Sequence, residues 1–267
     1  MKFISFNING IRAHIHQLQY IMEILHPDIL CLQETRVHDD LFPINMISKY
    51  NYHVYYYGKK SYCGVALLSK KKPITVSTNI LYDYNHETKR IIQANFFTSQ
   101  GILNIINIYC PQGANRKNAK FLEKKLFYKN FTLYLYKNYK KHALLCIMGD
   151  MNIAPNYLDI GLKNTHYKSW LHSGKCAFLP EEQQWIKKLL DFGLIDSYRY
   201  LYPQKNNLYS WFDYRYNSFK QNIGLRIDLL LASYSLNKFL YSAGIDYKIR
   251  AMHKSSDHAP IWANFSI

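Results

Sequence analysis

One stretch decides the fold, residues 143–152, which reads Ala-Leu-Leu-Cys-Ile-Met-Gly-Asp-Met-Asn. A short apolar run bounded by a turn signal predicts a buried strand, whose polar tail lies where a sheet edge opens onto a cleft. Side chains two positions apart in a strand point the same way, so Asp150 and Asn152 would present a carboxylate and an amide side by side. Gly-Asp-x-Asn is also common turn chemistry, and alone it would more often indicate a plain turn. The same apolar run with a polar end recurs along the chain, which favours a cleft.

Length and composition predict one large hydrophobic core that needs no disulfide or metal ion to be stable. The chain has 267 residues, of which 48% are hydrophobic and 16% aromatic, enough to bury roughly three quarters of its unfolded surface. Its five cysteines are odd in number and lack C-x-x-C spacing, which indicates reduced thiols in a cytoplasmic protein. The N-terminus starts directly in a strand pattern without a signal peptide, and no apolar run approaches the ~20 residues of a membrane helix. We find no repeat or linker and expect a single domain over residues 1–267.

The charge is strongly positive, with 34 Lys and Arg against 18 Asp and Glu, a net +16. Such a balance points to a polyanionic partner. The alternative is compositional, because many Lys, Tyr, Asn and Ile residues also result from AT-rich codon use. The eight arginines are more informative than the lysines, since a guanidinium contacts phosphate bidentately.

Strands and helices alternate from the start of the chain. We predict a strand at residues 3–8, a helix at 12–25 and a strand at 29–33 that leads into Glu34. If the crossover is the usual parallel one, both strand ends meet at one sheet edge, so Asn7 and Glu34 should lie close together.

The remaining pattern predicts a large mixed or antiparallel sheet with two further helices. The predicted strands span residues 52–57, 64–68, 91–98, 102–109, 143–148, 227–231 and 261–265, and the helices span 119–139 and 180–193. The apolar face of the first of these helices is predicted to contain Leu122, Leu126, Leu133 and Tyr136.

A carboxylate inside an apolar strand needs a partner. Asp228 lies within the run at 227–231, and burying its charge costs several kcal/mol unless it is paired and hydrogen-bonded. His258, next to Asp257 at the entrance of the last strand, is the obvious candidate, because an aspartate that accepts from one ring nitrogen orients the other. The alternative is that His258 is an ordinary structural histidine.

The polar residues at these strand ends form a set of oxygen ligands with one imidazole. The set comprises Asn7, Glu34, Tyr109, Asp150, Asn152, Asp228, Asp257 and His258. Carboxylates and amides without thiolate suit Mg²⁺ or Mn²⁺, and a hard divalent ion among acids is typical of phosphodiester hydrolysis. The sequence has no P-loop, no G-x-S-x-G and no H-E-x-x-H, which excludes the enzyme classes with those signatures.

Seven stretches resemble the exonuclease III family of bacterial apurinic/apyrimidinic endonucleases, in the endonuclease/exonuclease/phosphatase superfamily. They occur in the family's order and run from the first strand to the last: residues 5–10, 32–35, 64–68, 109–113, 148–152, 225–231 and 256–260. Two further segments, 158–161 and 176–182, resemble exonuclease III more than the wider superfamily. The residues alone predict only a strand-rich α/β domain with a polar cleft. The resemblance implies a deoxyribonuclease-I-like, four-layer α/β sandwich of two packed mixed β-sheets flanked by helices.

The same resemblance implies an activity and its cofactor. We expect a Mg²⁺-dependent nuclease, with Mn²⁺ as an alternative ion, that digests duplex DNA 3′→5′, incises 5′ to abasic sites and removes 3′ blocking groups. Its partner would be double-stranded DNA with abasic sites or 3′ ends, and it would act as a monomer. Two alternatives stay open: a phosphomonoesterase of the same superfamily that acts on small phosphates, and a catalytically silent DNA-binding scaffold.

Site roles follow residue by residue from the resemblance. The implied metal site has Glu34 as its main ligand and comprises Asn7, Glu34, Asp150, Asn152, Asp257 and His258. The implied catalytic residues are Tyr109, Asp150, Asn152, Asp228 and His258. Asp150 would activate or orient the attacking water, and Tyr109 would contact the scissile phosphate, with a phenolate role as an open alternative.

The resemblance also implies residues that grip DNA. A small apolar pocket for a base-less sugar would consist of Trp211, Phe212, Leu225 and Ile227. A flipped nucleotide enters such a pocket at least cost where no base is stacked or paired. The alternative is that these four residues are ordinary core. Arg90 and Gln112 would contact the DNA backbone, which positions the duplex without reading its sequence.

Overall fold

The computed structural model describes residues 1–59, 62–78, 80–81 and 89–267. Across these residues, twelve strands form two six-stranded mixed sheets. The strands are β1 (Lys2–Asn7), β2 (Ile29–Gln33), β3 (His53–Lys59), β4 (Tyr62–Ser69), β5 (Thr75–Ser77), β6 (Ile91–Thr98), β7 (Gly101–Tyr109), β8 (Leu144–Asp150), β9 (Leu194–Asp196), β10 (Asp228–Ser233), β11 (Leu240–Ile245) and β12 (Ile261–Phe265). The α-helices are α1 (Ile15–Tyr20), α2 (Ile44–Ile47), α3 (Ala119–Asn138), α4 (Asn164–Ser173), α5 (Pro180–Asp191), α6 (Ser197–Leu201), α7 (Tyr234–Asn237) and α8 (Tyr247–Arg250).

The two sheets pack face to face between outer helices. One sheet has the order β11-β12-β1-β2-β4-β3 and the other β5-β6-β7-β8-β10-β9. Phe3 and Val65 of the first sheet share a core with Ile105 and Met148 of the second. Residues of α1 and α8 cover the outer face of the first sheet, and residues of α3 and α5 cover that of the second. The predicted four-layer sandwich is confirmed.

Strand pairing brings the predicted polar ends to one edge. β1 and β2 are parallel, with Asn7 opposite Gln33, so the next residue, Glu34, emerges beside Asn7. In the second sheet, Asp150 lies opposite Tyr109 on parallel β7 and opposite Asp228 on antiparallel β10. Because the sheets are stacked, these ends converge on one cleft, as predicted.

Gly149 lies inside β8 rather than in a turn. A Cβ atom there would come 1.8 Å from the carbonyl oxygen of Ile108, and its φ is +152°. Only glycine lets β8 approach β7 so closely at this point. The turn alternative is therefore wrong for Gly149, while the prediction of a strand that delivers Asp150 is confirmed.

The first helix begins later than predicted. It starts at Ile15 and continues from Ile21 as a π-helical turn that ends at Leu25. The N–H groups of Gly10 and Ile11 instead donate to the carbonyls of Glu34 and Thr35, at 2.7 and 3.1 Å. This tie holds the segment before the helix against the residues that follow β2.

The predicted apolar face of the helix at 119–139 is wrong. On α3, the four predicted residues, Leu122, Leu126, Leu133 and Tyr136, are 41–57% exposed. The buried side chains are instead Lys124, Phe127, Tyr128, Phe131 and Leu135. Both sets recur at helical spacing, and large aromatic side chains occupy the side that meets the second sheet.

The five cysteines are buried and none of them is in a disulfide, in agreement with the predicted reduced thiols. Among the described residues, the helices lack the length and apolar character needed to cross a bilayer.

Candidate active site

A cleft with a volume of about 550 Å³ opens at the shared edge of the two sheets. Ten of the predicted site residues line it: Glu34, Tyr109, Gln112, Asp150, Asn152, Trp211, Leu225, Ile227, Asp257 and His258. Asn7, Arg90, Phe212 and Asp228 are buried and do not belong to its lining. The sheet edge thus supplies the acids, and loops supply the walls.

Glu34, Asp150 and His258 form the centre of the cleft. Their candidate ligand atoms all lie within 4.8 Å of one another. Buried Asn7 ties the two acids together, because its Nδ2 donates to Glu34 Oε1 and to Asp150 Oδ2, each at 2.9 Å. Arg36 pairs with the other oxygen of Glu34. Burial opposes ionisation of Glu34, but this guanidinium and the Asn7 amide hold the pKa of Glu34 below its ordinary value.

Asp150 accepts several hydrogen bonds and lies close to other carboxylates. The backbone N–H of Asn152 donates to its Oδ1 at 2.8 Å, and the Asn152 amide donates to its Oδ2 at 3.2 Å. Burial, together with the carboxylates of Asp228 and Glu34, raises the pKa of Asp150 to about 7. A carboxyl that ionises near neutrality suits proton transfer, or a site completed by a cation.

Asp228 and His258 form the predicted pair. His258 Nδ1 lies 2.8 Å from Asp228 Oδ2, and both residues are buried. Burial alone would lower the pKa of His258, but Asp228, with Asp257 and Asp150 nearby, raises it to about 10. The ring is therefore an imidazolium at neutral pH, and its Nε2 lies 3.9 Å from Asp150 Oδ2.

Tyr109 lies between Glu34 and Arg90. Its phenol shares a hydrogen bond with Glu34, and burial, with the charge of Glu34, raises its pKa well above the ordinary value. The guanidinium of Arg90 lies 4.7 Å from the centre of the Tyr109 ring and donates to the Tyr109 carbonyl at 3.3 Å. Arg90 thus packs against Tyr109 and does not line the cleft, and its predicted contact with the DNA backbone stays a prediction.

Several of these residues have a left-handed backbone conformation, which sets the direction of their side chains. Glu34, Asn9 and Asn152 have φ values of 52°, 47° and 51°, a conformation that asparagine tolerates and that costs other residues ~1–3 kcal/mol. The segment after Glu34 is held by two backbone bonds, Thr35 N–H to Gly64 O and Arg36 N–H to Cys63 O. Asn152 lies beside Asp150 as predicted, but through this turn of the chain and not through strand alternation.

Asp257 lies apart from the central acids. Asn9 Nδ2 donates to its Oδ1 at 2.8 Å, and Trp211 Nε1 donates to its Oδ2 at 3.0 Å. Among the described residues, the side chains close enough to share an ion do not include Asp257. Its contacts suit positioning of Trp211, and its predicted metal ligation stays a prediction.

One wall of the cleft is apolar. Trp211, Leu225 and Ile227 line it, and Trp211 exchanges backbone hydrogen bonds with Leu225. Phe212 lies on the opposite side of this strand-like segment, fully buried, with its ring 5.0 Å from that of Phe219 and 5.7 Å from that of Tyr247. Phe212 is therefore core, and its predicted place in the pocket is wrong.

Five charged or aromatic lining residues were not predicted: Arg36, Trp170, Lys175, Asp213 and Arg215. Lys175 Nζ lies 3.6 Å from the centre of the Trp170 ring, so a cation and an indole face the cleft together. Arg36 follows Glu34 by two residues, a proximity that could have indicated it. No sequence pattern marks Trp170 or Lys175, because α4 reaches the cleft only through tertiary packing.

The donor set fits a hard divalent cation. Glu34 and Asp150 offer carboxylate oxygens, and the pKa of Asp150 is raised by burial and by the neighbouring carboxylates of Asp228 and Glu34, an excess of negative charge that a cation would relieve. Asn7 donates to both acids, and Asn152 donates to Asp150. An imidazolium has no free lone pair for a metal, so His258 fits a hydrogen-bond donor better than the predicted metal ligand.

Comparisons with known proteins agree with this geometry. Residues 4–258 match the model of the Endonuclease/Exonuclease/phosphatase family. The chain is 48% identical over 266 residues to exodeoxyribonuclease III of Haemophilus influenzae, which covers 99% of this chain and 100% of that protein.

Two solved structures cover 100% of both chains. An AP endonuclease from Archaeoglobus fulgidus is 31% identical with a TM-score of 0.91. The 3′ phosphatase NExo from Neisseria, bound to a product DNA hairpin, is 33% identical with a TM-score of 0.91. Both the full length and the fold are shared, so the chain belongs to the endonuclease/exonuclease/phosphatase family.

Proposed function

We propose that this protein is a DNA-repair nuclease that hydrolyses phosphodiesters with the help of a divalent cation, Mg²⁺ or alternatively Mn²⁺. The observation that carries the proposal is the convergence of Glu34, Asp150 and His258 in one cleft, in a chain that matches an exodeoxyribonuclease III over its full length. The proposed activities are 3′→5′ digestion of duplex DNA, incision 5′ to abasic sites and removal of 3′ blocking groups.

Glu34 and Asp150 would hold the cation, which supplies positive charge against the phosphate oxygens. Asn7 keeps the two carboxylates at a fixed separation through its paired hydrogen bonds. Asp150 would also orient the attacking water and accept its proton.

His258 would stabilise charge on a nonbridging phosphate oxygen. Its imidazolium is fixed by the 2.8 Å contact with Asp228, so Nε2–H points toward the acids without reorganisation. A preorganised donor of this kind can lower the barrier by several kcal/mol. Tyr109 acts as a phenol that donates to the phosphate, since its raised pKa disfavours phenolate.

The apolar wall suggests how an abasic sugar is recognised. Trp211, Leu225 and Ile227 present a small apolar surface beside His258, which suits a deoxyribose without its base. Gln112, together with Lys175 and Arg215, lines the same cleft and would contact the DNA backbone.

A 3′-phosphatase activity is the second candidate. The observation that favours it is the likeness to the Neisseria 3′ phosphatase over the whole chain. Both activities would use the same cleft, because phosphomonoester and phosphodiester hydrolysis need the same stabilisation of phosphate charge.

The deciding experiment compares four substrates in parallel, with Mg²⁺ and with a chelator. They are a duplex with one central abasic-site analogue, an intact duplex with recessed 3′ ends, a duplex with a 3′-phosphate and a soluble inositol phosphate. We expect Mg²⁺-dependent cleavage of the DNA substrates only. Faster hydrolysis of the inositol phosphate would establish the small-phosphate alternative, and binding without cleavage would establish the scaffold.

We further propose that residues 1–267 form one domain that acts as a monomer in the cytoplasm. The shared core between the two sheets supports the first point. Light scattering of the purified protein at working concentration tests the oligomeric state.

A further inference from the structure

A buried ion pair lies directly beneath the loops of the cleft. Lys124 on α3 and Glu182 on α5 are both fully buried, with Lys124 Nζ 2.5 Å from Glu182 Oε1. Lys124 Nζ also donates to two backbone carbonyls, that of Asn152 at 2.8 Å and that of Gln112 at 3.2 Å. Neither Lys124 nor Glu182 lines the cleft, yet both carbonyls belong to residues that do.

Glu182 extends the connection to a third loop. Its Oε2 accepts from the N–H of Ala177 at 2.8 Å and from that of Leu179 at 2.9 Å, which also closes the N-terminus of α5. Ala177 lines the cleft. The three loops bond to one another as well, through Ala154 N–H to Ala177 O and Cys176 N–H to Ala114 O.

The backbone at the two carbonyls depends on this support. Asn152 has a left-handed φ of 51°, which directs its N–H at Asp150 Oδ1 and its carbonyl at Lys124. Gly113, with φ +87°, approaches Lys124 so closely that a Cβ would come 2.8 Å from Cδ. A rotation of either peptide would move Asn152 relative to Asp150, or Gln112 relative to the cleft.

Stability alone does not account for a charged pair in this place. Removing two charges from water is costly, and an apolar pair of similar volume is often at least as stable. What an apolar pair lacks is a donor that can bond several carbonyls at once, which an ammonium with three N–H groups supplies.

We propose that Lys124 and Glu182 form a positioning brace, which holds the 110–114, 151–154 and 176–179 loops in the arrangement that catalysis needs. Lys124 is a positioning residue that acts through the backbone of Asn152 and Gln112. The proposal deepens the nuclease function proposed above and rests on it.

Three variants separate positioning from stability. Lys124→Met keeps the length of the side chain but leaves Glu182 unpaired. The double variant Lys124→Met/Glu182→Gln removes that unpaired charge. The amide oxygen of the new side chain at position 182 can still accept hydrogen bonds from the backbone N–H groups of Ala177 and Leu179. Leu135→Ala, at a buried site near the far end of the same helix, is a destabilised control that leaves the brace intact.

Cleavage of the abasic duplex is measured at a temperature where every variant is fully folded. For Lys124→Met we expect kcat to fall by ~10- to 100-fold, because small misplacements of reacting groups have effects of this size, while KM changes far less. The double variant should regain much of the lost Tm, yet kcat should stay low. Leu135→Ala should lose Tm and keep kcat.

Hydrogen exchange supplies a readout that does not need activity. We expect faster exchange in peptides from all three loops in both Lys124 variants and unchanged exchange there in Leu135→Ala. Recovery of kcat together with Tm in the double variant would show a purely structural pair and overturn the brace. If the wild-type protein cleaves no DNA, the nuclease proposal fails, and unchanged exchange in the three loops would then overturn the brace separately.

Discussion

Asp228 and His258 each depend on the other for their proposed effect. Asp228 fixes the ring and supports its charge, so Asp228→Asn and His258→Asn should each lower cleavage of the abasic duplex by ~10²- to 10⁴-fold. The double variant should be little worse than the poorer single variant, since residues that act as a unit are non-additive. Steady-state kinetics on all three variants measures this, with Asp191→Asn, an exposed position on α5, as the control. Multiplicative losses would disprove the coupling.

Glu34 tests the cation site without disturbing the core. Because Arg36 and Asn7 favour the ionised form of Glu34, Glu34→Gln should lower the Tm in chelator slightly while the protein stays folded. It should abolish the Mg²⁺-induced rise in Tm, which ligand binding to the folded state produces, and lower cleavage by ~10³-fold or more. Thermal melts and a Mg²⁺ titration of cleavage measure both effects. The control is Glu23→Gln, at an exposed residue that accepts from Tyr50. A normal Mg²⁺ response in Glu34→Gln would remove Glu34 from the site.

At the level of the strand, Gly149 controls how closely β8 approaches β7. Gly149→Ala should destabilise the fold by more than ~3 kcal/mol, because the new Cβ would lie 1.8 Å from Ile108 O inside a hydrogen-bonded ladder. Gly101→Ala is the matched control, since φ there is +114° and nothing lies within 4 Å of its Cβ. Urea unfolding of the two variants separates the steric clash from the backbone preference. Equal losses in both would contradict the close approach.

Helix α3 provides a second test at this scale, because its buried and exposed faces are both apolar. Phe131→Ala should cost ~3–5 kcal/mol of unfolding free energy, since its ring is fully buried and its loss leaves a cavity. Leu133→Ala, two residues away and 57% exposed, should change stability by less than ~0.5 kcal/mol. Chemical denaturation measures both. If Leu133→Ala lost more unfolding free energy than Phe131→Ala, the buried face of α3 would be the one predicted from sequence.

For the whole molecule, the net charge of +16 becomes a quantitative expectation if DNA binding neutralises phosphates. The logarithm of affinity for undamaged duplex should fall with log salt by about 0.9 for each phosphate contacted. Lys175→Gln, in the cleft, should reduce the slope by about one contact, whereas Lys129→Gln, exposed on α3, should not. Fluorescence anisotropy over a salt series gives the slopes. If the affinity of the wild-type protein for DNA did not change with salt, the positive charge would reflect amino-acid composition and not DNA binding.

Local sequence was sufficient for the features that depend on neighbours along the chain. The strands that carry Asn7, Glu34, Asp150 and Asp228 are recognisable because each is a short apolar run with a polar residue at or near its end. The Asp228–His258 pair was inferable as well, since a buried carboxylate requires a partner and few imidazoles lie beside another acid. The four-layer arrangement came from resemblance to a family and not from the residues themselves.

Tertiary structure alone decided the features that depend on distant segments. Which face of α3 is buried, whether Phe212 faces the cleft, and how Asp257 is engaged are all determined by the layer that each element meets. Strands as short as β5 and β9, with three residues each, carry too few alternations to be recognised. The brace of Lys124 and Glu182 joins residues 58 positions apart, and in the sequence a lysine on a helix predicts a solvated surface. Local sequence specifies the period of an element, but only packing determines which side of it is buried.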